Sequence, residues 1–245
     1  MDAKHSRQNE DALSRRRALT KLGGFAAVAL GGGAWGAREL LDAPDADAAA
    51  TGPAAVSAGL VSCVLTPEQT EGPYYVPGAP IRRNVTEGKP GGALVLRLSV
   101  VNVSTCKPIK GASVEIWHCD ASGVYSGTAQ QGTESDRFLR GVQRTDAKGL
   151  AIFRTIYPGW YQGRTVHIHT KVHVGGNVVH TGQLYFADTV TDAVYTRSPY
   201  SSRPNRDPRN AGDSIYRNGG NRSTLKPVRA GTRYTGSIAM GVHRS

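Results

Sequence analysis

From residue 165 to 174, Val166, Ile168, Thr170, Val172 and Val174 alternate with His167, His169, Lys171 and His173. A period of two marks a strand whose successive side chains point to opposite faces. His167 and His169 therefore share one face. The same alternation predicts strands over 93–103 and 112–118, and a hairpin of 141–146 and 149–156 that turns at Ala147-Lys148. A returning strand is predicted over 178–187, after the Gly176-Asn177 turn, and a last one over 234–242. The chain carries no internal repeat and no long helical period. Six or so strands joined by short turns predict an all-β fold, a two-sheet antiparallel β-sandwich. A single domain is expected, with irregular loops and a long irregular C-terminal tail.

Composition agrees, because 30 glycines and 13 prolines in 245 residues supply many turns. Residues 65–78 (LTPEQTEGPYYVPG) are too rich in turn formers for regular structure, and place Tyr74, Tyr75, Glu68 and Glu71 in a loop. That loop reads either as cover for the sandwich edge or as the wall of a pocket. Residues 196–230, rich in Arg, Asn, Pro and Gly, are expected to wrap the sandwich.

The N-terminal region changes the picture of where the protein works. Ser14-Arg-Arg-Arg-Ala-Leu-Thr-Lys21 matches a twin-arginine export pattern, with Ala18 where Phe is usual. The apolar stretch 22–36 is too short to span a bilayer stably, and Ala48-Ala49-Ala50 offers a cleavage site. The expected organisation is a signal region over 1–50, a linker over 51–64 and the sandwich over 65–245. The product is expected to be secreted or held in the cell envelope or periplasm, without stable membrane insertion after cleavage. Residues 1–50 hold seven basic and seven acidic side chains, so the remainder keeps the whole net charge of +11. This favours anionic partners, but no Lys/Arg run or nucleic-acid motif follows, and no nucleic-acid partner is expected. Cys63, Cys106 and Cys119 suit one disulfide and one free thiol in an oxidising compartment, with all three pairings open.

Candidate chemistry gathers around the 165–174 strand. Two imidazoles at i and i+2 can bind one metal ion, and Tyr161 and Arg164 lie just upstream, after a Pro-Gly turn. Tyr125 ends the isolated loop CDASGVY. Phenolates are hard, anionic oxygen donors that suit iron(III) better than zinc or copper(I). The rivals are Tyr157 as a ligand, His118, Cys119, His173 and His180 as further donors, and Glu68 with Glu71 as an acid/base pair. The simplest alternative is a solvated strand face that happens to carry histidines.

Taken together, TPEQTEGPYY, IWHCDASGVY, TDAKGLAIFRTIYPGWY, GRTVHIH and QLYF stand in an order that resembles the intradiol ring-cleavage dioxygenases, the iron(III) family of catechol and protocatechuate dioxygenases. The resemblance runs from about residue 66 to 186. It implies a non-haem iron(III) held by Tyr125, Tyr161, His167 and His169, with Tyr161 and His169 axial. It implies that Tyr161 also accepts a substrate proton, and that Arg164 and Gln183 sit beside the substrate as catalytic residues. The implied partners are a small aromatic diol and O2, and the implied product is a muconate-type dicarboxylate. Two phenolates and a hydroxide would balance the trivalent ion.

Two departures from the family stand out. No stretch reads as the helical N-terminal region that catechol dioxygenases use for dimer contacts, and the oligomeric state stays open. His167 follows Tyr161 by only six positions, which is expected to leave the pocket more open. Two other readings compete: a secreted binding module of the same fold without catalytic iron, and a different oxidase built on the H-x-H pair.

Overall fold

The structure is a computed structural model and describes residues 63–243. The expected export signal and the linker as far as residue 62 lie outside the described residues. Strands β1 (Ala93–Asn102), β2 (Ser113–Trp117), β3 (Arg140–Arg144), β4 (Leu150–Ile156), β5 (His167–Val174) and β6 (Asn177–Phe186) follow the predicted order. Next come helix α1 (Asp188–Tyr195), the helical turn α2 (Ser214–Arg217), and strands β7 (Thr224–Leu225), β8 (Val228–Ala230) and β9 (Arg233–Val242).

The strands form two sheets, ordered β4-β1-β9-β8 and β3-β2-β5-β6-β7. Leu94, Leu96, Leu98 and Val100 of β1, Phe153 of β4 and Met240 of β9 form one core with Val114, Ile116, Ile168, Val172, Leu184 and Phe186 of the second sheet. The sandwich is as expected, but not every pairing is antiparallel. β9 runs parallel to β1 from Leu94↔Tyr234 to Asn102↔Val242, and β7 runs parallel to β6. Parallel neighbours need a long connection, and here the tail supplies it by carrying the chain from the second sheet back to the first.

The tail is not wholly irregular. In α1, Thr191, Val194 and Tyr195 are buried on one face, and Asp188 occupies the first turn. Arg206, almost fully buried, joins Asp188 (2.9 Å) and Asp192 (2.6 Å), while Asn210 Nδ2 donates to the Phe186 carbonyl (2.8 Å). The tail does wrap the sandwich. Among the three cysteines, Cys63 and Cys106 form the disulfide, and Cys119 is a buried free thiol. Burial pushes the Cys119 thiol up to about 12, so it is not a reactive thiolate.

Candidate metal centre

The apolar face of β5 packs into the core, yet its other face is not solvated. His167 and His169 are 2% and 1% exposed, which rules out a histidine-bearing surface strand. Three irregular segments cover them, and each is built by local chemistry.

The first carries Tyr125. Asp120 Oδ1 accepts from Ser122 N–H (2.9 Å), Ser122 Oγ (2.7 Å) and Val124 N–H (3.1 Å), closing a tight Asx-type loop. Gln131 Oε1 accepts from Tyr125 N–H (2.6 Å), and Thr133 Oγ1 donates to the Tyr125 carbonyl (2.7 Å). The polar 128–140 stretch thus holds the tyrosine from behind.

The second segment carries Tyr161 and Arg164 at the two ends of one turn, where Arg164 N–H donates to Tyr161 C=O (3.1 Å). Gly163 sits at φ +84°, a conformation that favours glycine. The short six-residue interval is therefore this turn plus Thr165-Val166. Gly159 joins the two tyrosine loops: its N–H donates to Asp120 C=O (3.0 Å), and a Cβ there would lie 2.3 Å from that oxygen. Gly159→Ala is accordingly expected to pry the loops apart, at a cost of about 3 kcal/mol. This should appear as a fall in Tm of about 10 °C; an unchanged Tm would refute the close approach.

The third segment is the TPEQTEGPYY loop. Gly72, at φ +75°, packs over His169, where a Cβ would come within 3.1 Å of its Cε1. Tyr74 stacks on Tyr125 (4.3 Å) and meets Tyr161 edge-on (5.6 Å), so this loop forms a wall of the site. Glu71 pairs with Lys171, and Tyr75 lies beneath the same ammonium. Glu68 is exposed and 4.0 Å from His180 Nδ1. The two glutamates therefore do not form an acid/base pair.

These segments bring the predicted donors together. His167 Nε2 lies 3.0 Å from His169 Nε2, 3.4 Å from both Tyr125 Oη and Tyr161 Oη, and 3.5 Å from Arg164 Nη1. One imidazole lone pair cannot serve four neighbours. His167 Nδ1–H donates to the Thr165 carbonyl (2.7 Å), which leaves Nε2 as a bare lone pair aimed at the cluster. His169 Nδ1 is buried without a hydrogen-bond partner. A proton on His169 Nε2 strands the Nδ1 lone pair, whereas a proton on Nδ1 is itself stranded and sets the two Nε2 lone pairs face to face. A cation among the four donors would relieve this conflict, so the residues fit a metal ion.

Electrostatics point the same way. Burial, reinforced by Arg164, drives His167 down to about 3; burial, with His167 and Arg164, drives His169 well below the usual imidazole range. Both are neutral, the form that binds metal. Burial, followed by Tyr161, pushes Tyr125 well above the usual phenol range. Burial pushes Tyr161 to about 12 although Arg164 opposes it. Only a strong cation would deprotonate both phenols near neutrality. No cluster of three His, Cys, Asp or Glu side chains occurs among the described residues; the tyrosines complete this donor set.

Sheet register places the remaining partners. Trp117 and Gln183 lie directly opposite His169 on either side, and Tyr185 lies opposite His167. Trp117 stacks on the His169 ring at 4.9 Å. Gln183 Oε1 accepts from Arg164 Nη2 (2.5 Å) and Tyr185 Oη (3.0 Å), and its Nε2 donates to the Thr70 carbonyl (2.9 Å). Both ends of this amide are engaged.

The rivals fall away from the cluster. Tyr157 is a core residue, hydrogen-bonded to Thr191 Oγ1 (2.8 Å) and packed on Phe186 (4.3 Å). His118 bonds the Cys119 carbonyl (2.8 Å) and Thr155 Oγ1 (2.7 Å), and His173 is half-buried at the strand end. Gly72, Trp117 and Tyr185 escaped the sequence reading, whereas the Tyr74 loop was expected as either edge cover or pocket wall and is the wall. Trp117 and Tyr185 carried a signal in strand periodicity, because Tyr185 shares a face with Gln183. Gly72 carried none beyond lying in a loop.

A family profile described as Dioxygenase matches residues 70–196. Catechol 1,2-dioxygenase 1 of Acinetobacter lwoffii is 36% identical over 121 residues, covering 46% of this chain and 39% of that one. The chain thus spans well under two thirds of that relative's length. An intradiol ring-cleavage dioxygenase from Tetranychus urticae superposes with a TM-score of 0.70 at 36% identity, covering 74% of this chain and 95% of that one. The dioxygenase domain of a carbohydrate-binding fusion protein from Streptomyces sp. SirexAA-E gives 0.59 at 31% identity, covering 74% and 100%. The profile spans about half the chain and takes in Tyr125, Tyr161, Arg164, His167, His169 and Gln183. By that match, with the sandwich and the donor cluster it encloses, the chain belongs to the intradiol ring-cleavage dioxygenase family.

Proposed function

We propose that this protein is a non-haem iron(III) dioxygenase that uses O2 to cleave catechol-type rings between the two hydroxyl-bearing carbons, giving muconate-type dicarboxylates. The observation that carries this reading is the convergence of two phenols and a second neutral imidazole within 3.4 Å of His167 Nε2. Tyr125, Tyr161, His167 and His169 would hold the ion. Iron(III) bound there would supply Lewis acidity toward a chelating catecholate and the electronic means for its reaction with O2.

The chain's own groups do the rest. Tyr161 Oη, on a half-buried side chain beside Arg164, accepts a proton as the diol binds. Arg164 keeps Nη1 toward the donor cluster, where its cation stabilises negative charge in a partly dry site. Gln183 holds the guanidinium in place, and Tyr74 forms the aromatic wall. Export fits the same reading: the Ser14–Lys21 pattern and the Cys63–Cys106 disulfide both support an oxidising compartment.

The test is a visible spectrum with metal analysis, before and after anaerobic catechol. A broad red absorption, about one iron per chain and a shift on adding catechol are expected, the phenolates being ligands that suit this ion. Tyr157→Phe keeps the band and Tyr161→Phe changes it. A colourless protein that holds zinc, copper or nothing after iron loading would sink the proposal.

A further inference from the structure

Beyond residue 196, where the family match ends, one side chain reaches back into the site. The carboxylate of Asp213 is completely enclosed. Its Oδ1 caps α2, accepting from the N–H groups of Ile215 (2.8 Å) and Tyr216 (3.0 Å). Its Oδ2 accepts from Arg164 Nε (2.9 Å) and from Thr165 N–H (2.8 Å). Four donors surround a group that has about four lone-pair sites, so none is spare.

The consequence for Arg164 is geometric. Asp213 takes Nε, Gln183 takes Nη2 at 2.5 Å, and Nη1 is the nitrogen turned toward the donor cluster. A planar guanidinium held at two corners cannot rotate about its long axis, so its third corner is aimed. The carboxylate also removes the cost of burying an unpaired cation at this depth. The segment bearing Asp213 is itself fixed from the far side, because Gln69 Nε2 donates to the Ile215 carbonyl (2.8 Å) and Tyr185 Oη donates to Gln69 Oε1 (3.0 Å). Gln69, Ile215, Asp213, Arg164 and Gln183 thus form a hydrogen-bonded chain, and both of its ends lie within reach of the one Tyr185 hydroxyl proton.

We propose that Asp213 is a positioning residue of the active site, supplied by the C-terminal tail, which orients Arg164 so that Nη1 meets an oxygen of the bound catecholate. The proposal rests on the function argued above. A carboxylate is required: in an Asn at this position, the amide NH2 would face the Arg164 and Thr165 donors or the two capping N–H groups.

The test is a double-mutant cycle of Asp213→Asn and Arg164→Ala, read as the anaerobic dissociation constant of catechol from the shift of the visible band. Asp213→Asn is expected to weaken binding at least ~10-fold in the wild-type background and less than ~2-fold in the Arg164→Ala background. Equal losses in both backgrounds, or none in either, would overturn the proposal, since a merely structural role is additive. If Asp213→Asn does not fold, Asp213→Glu, which moves the charge by one methylene, enters the same cycle. The metal-free protein gives an independent arm: the Arg164 Nε–H proton is expected to exchange with water at least ~10-fold faster in Asp213→Asn. If the iron-loaded wild type binds no catechol, the functional reading fails, and the exchange arm still decides Asp213. Equally slow exchange in both proteins overturns its role.

Discussion

His167→Ala is expected to give a folded protein that stays colourless after iron loading, binds iron at least ~100-fold more weakly and turns over at background rate. The magnitude follows from position. Partners that merely orient a metal ligand are worth about 10- to 100-fold in affinity, so deleting a ligand exceeds that range. His167 is also the nitrogen around which the other donors gather, with His169 at 3.0 Å and both phenols at 3.4 Å. Its Nδ1 is already committed to the Thr165 carbonyl, so Nε2 is the ring nitrogen left to bind the ion. His173→Ala, on the same strand but half-buried at its end, is the control and should keep its iron. Iron titration of the two variants decides the matter. Equal retention would move the metal elsewhere.

The metal-free protein is expected to lose stability steeply between pH 7 and pH 5. Four histidines are at most 2% exposed. Burial drives His118 and His180 down to about 4 and His167 to about 3, and holds His169 well below the ordinary range. All four stay neutral in the fold. Unfolding lets each take up a proton below its ordinary value of about 6.5, so the unfolded state binds more protons and stability falls as pH falls. The loss begins near pH 6.5 and continues toward each folded value. Each group costs on the order of 2 kcal/mol between pH 7 and 5, and the four together rival the 5–15 kcal/mol stability of an ordinary domain.

Other groups modify this at lower pH. Burial would raise Asp213, but the backbone N–H groups of Tyr216 and Thr165, with Arg164, hold it below the carboxylate range and add to the acid loss. Glu115, which burial pushes up, works the opposite way. Urea unfolding at the two pH values gives the answer, and equal midpoints would mean that the histidines are not buried as neutral groups.

Much of the architecture was legible because it is local. Alternation over 165–174 placed His167 and His169 on one face, and the returning 178–187 strand brought Gln183 opposite His169. Helix α1 was missed although Thr191, Val194 and Tyr195 lie one helical turn apart, because eight residues give too short a period to stand out. The parallel β1–β9 pair was missed for a different reason. Alternation shows that a strand exists and which side faces the core, but both directions of pairing bury the same side.

The sequence by itself determined the seven longer strands and the shared face of His167 and His169, and its ordered motifs, through the family resemblance, singled out Tyr125 and Tyr161. Those properties reside in periodicity, turn chemistry and residue type, which are written within a few positions of one another. Only the tertiary structure decided that Cys63 pairs with Cys106, that Tyr157 belongs to the core, and that Tyr74 walls the site. It also decided that Asp213, 49 residues beyond Arg164, anchors its guanidinium. Each of these joins segments far apart in the chain, and a contact between distant segments depends on how the sheets pack and where the tail crosses them. No local pattern encodes that.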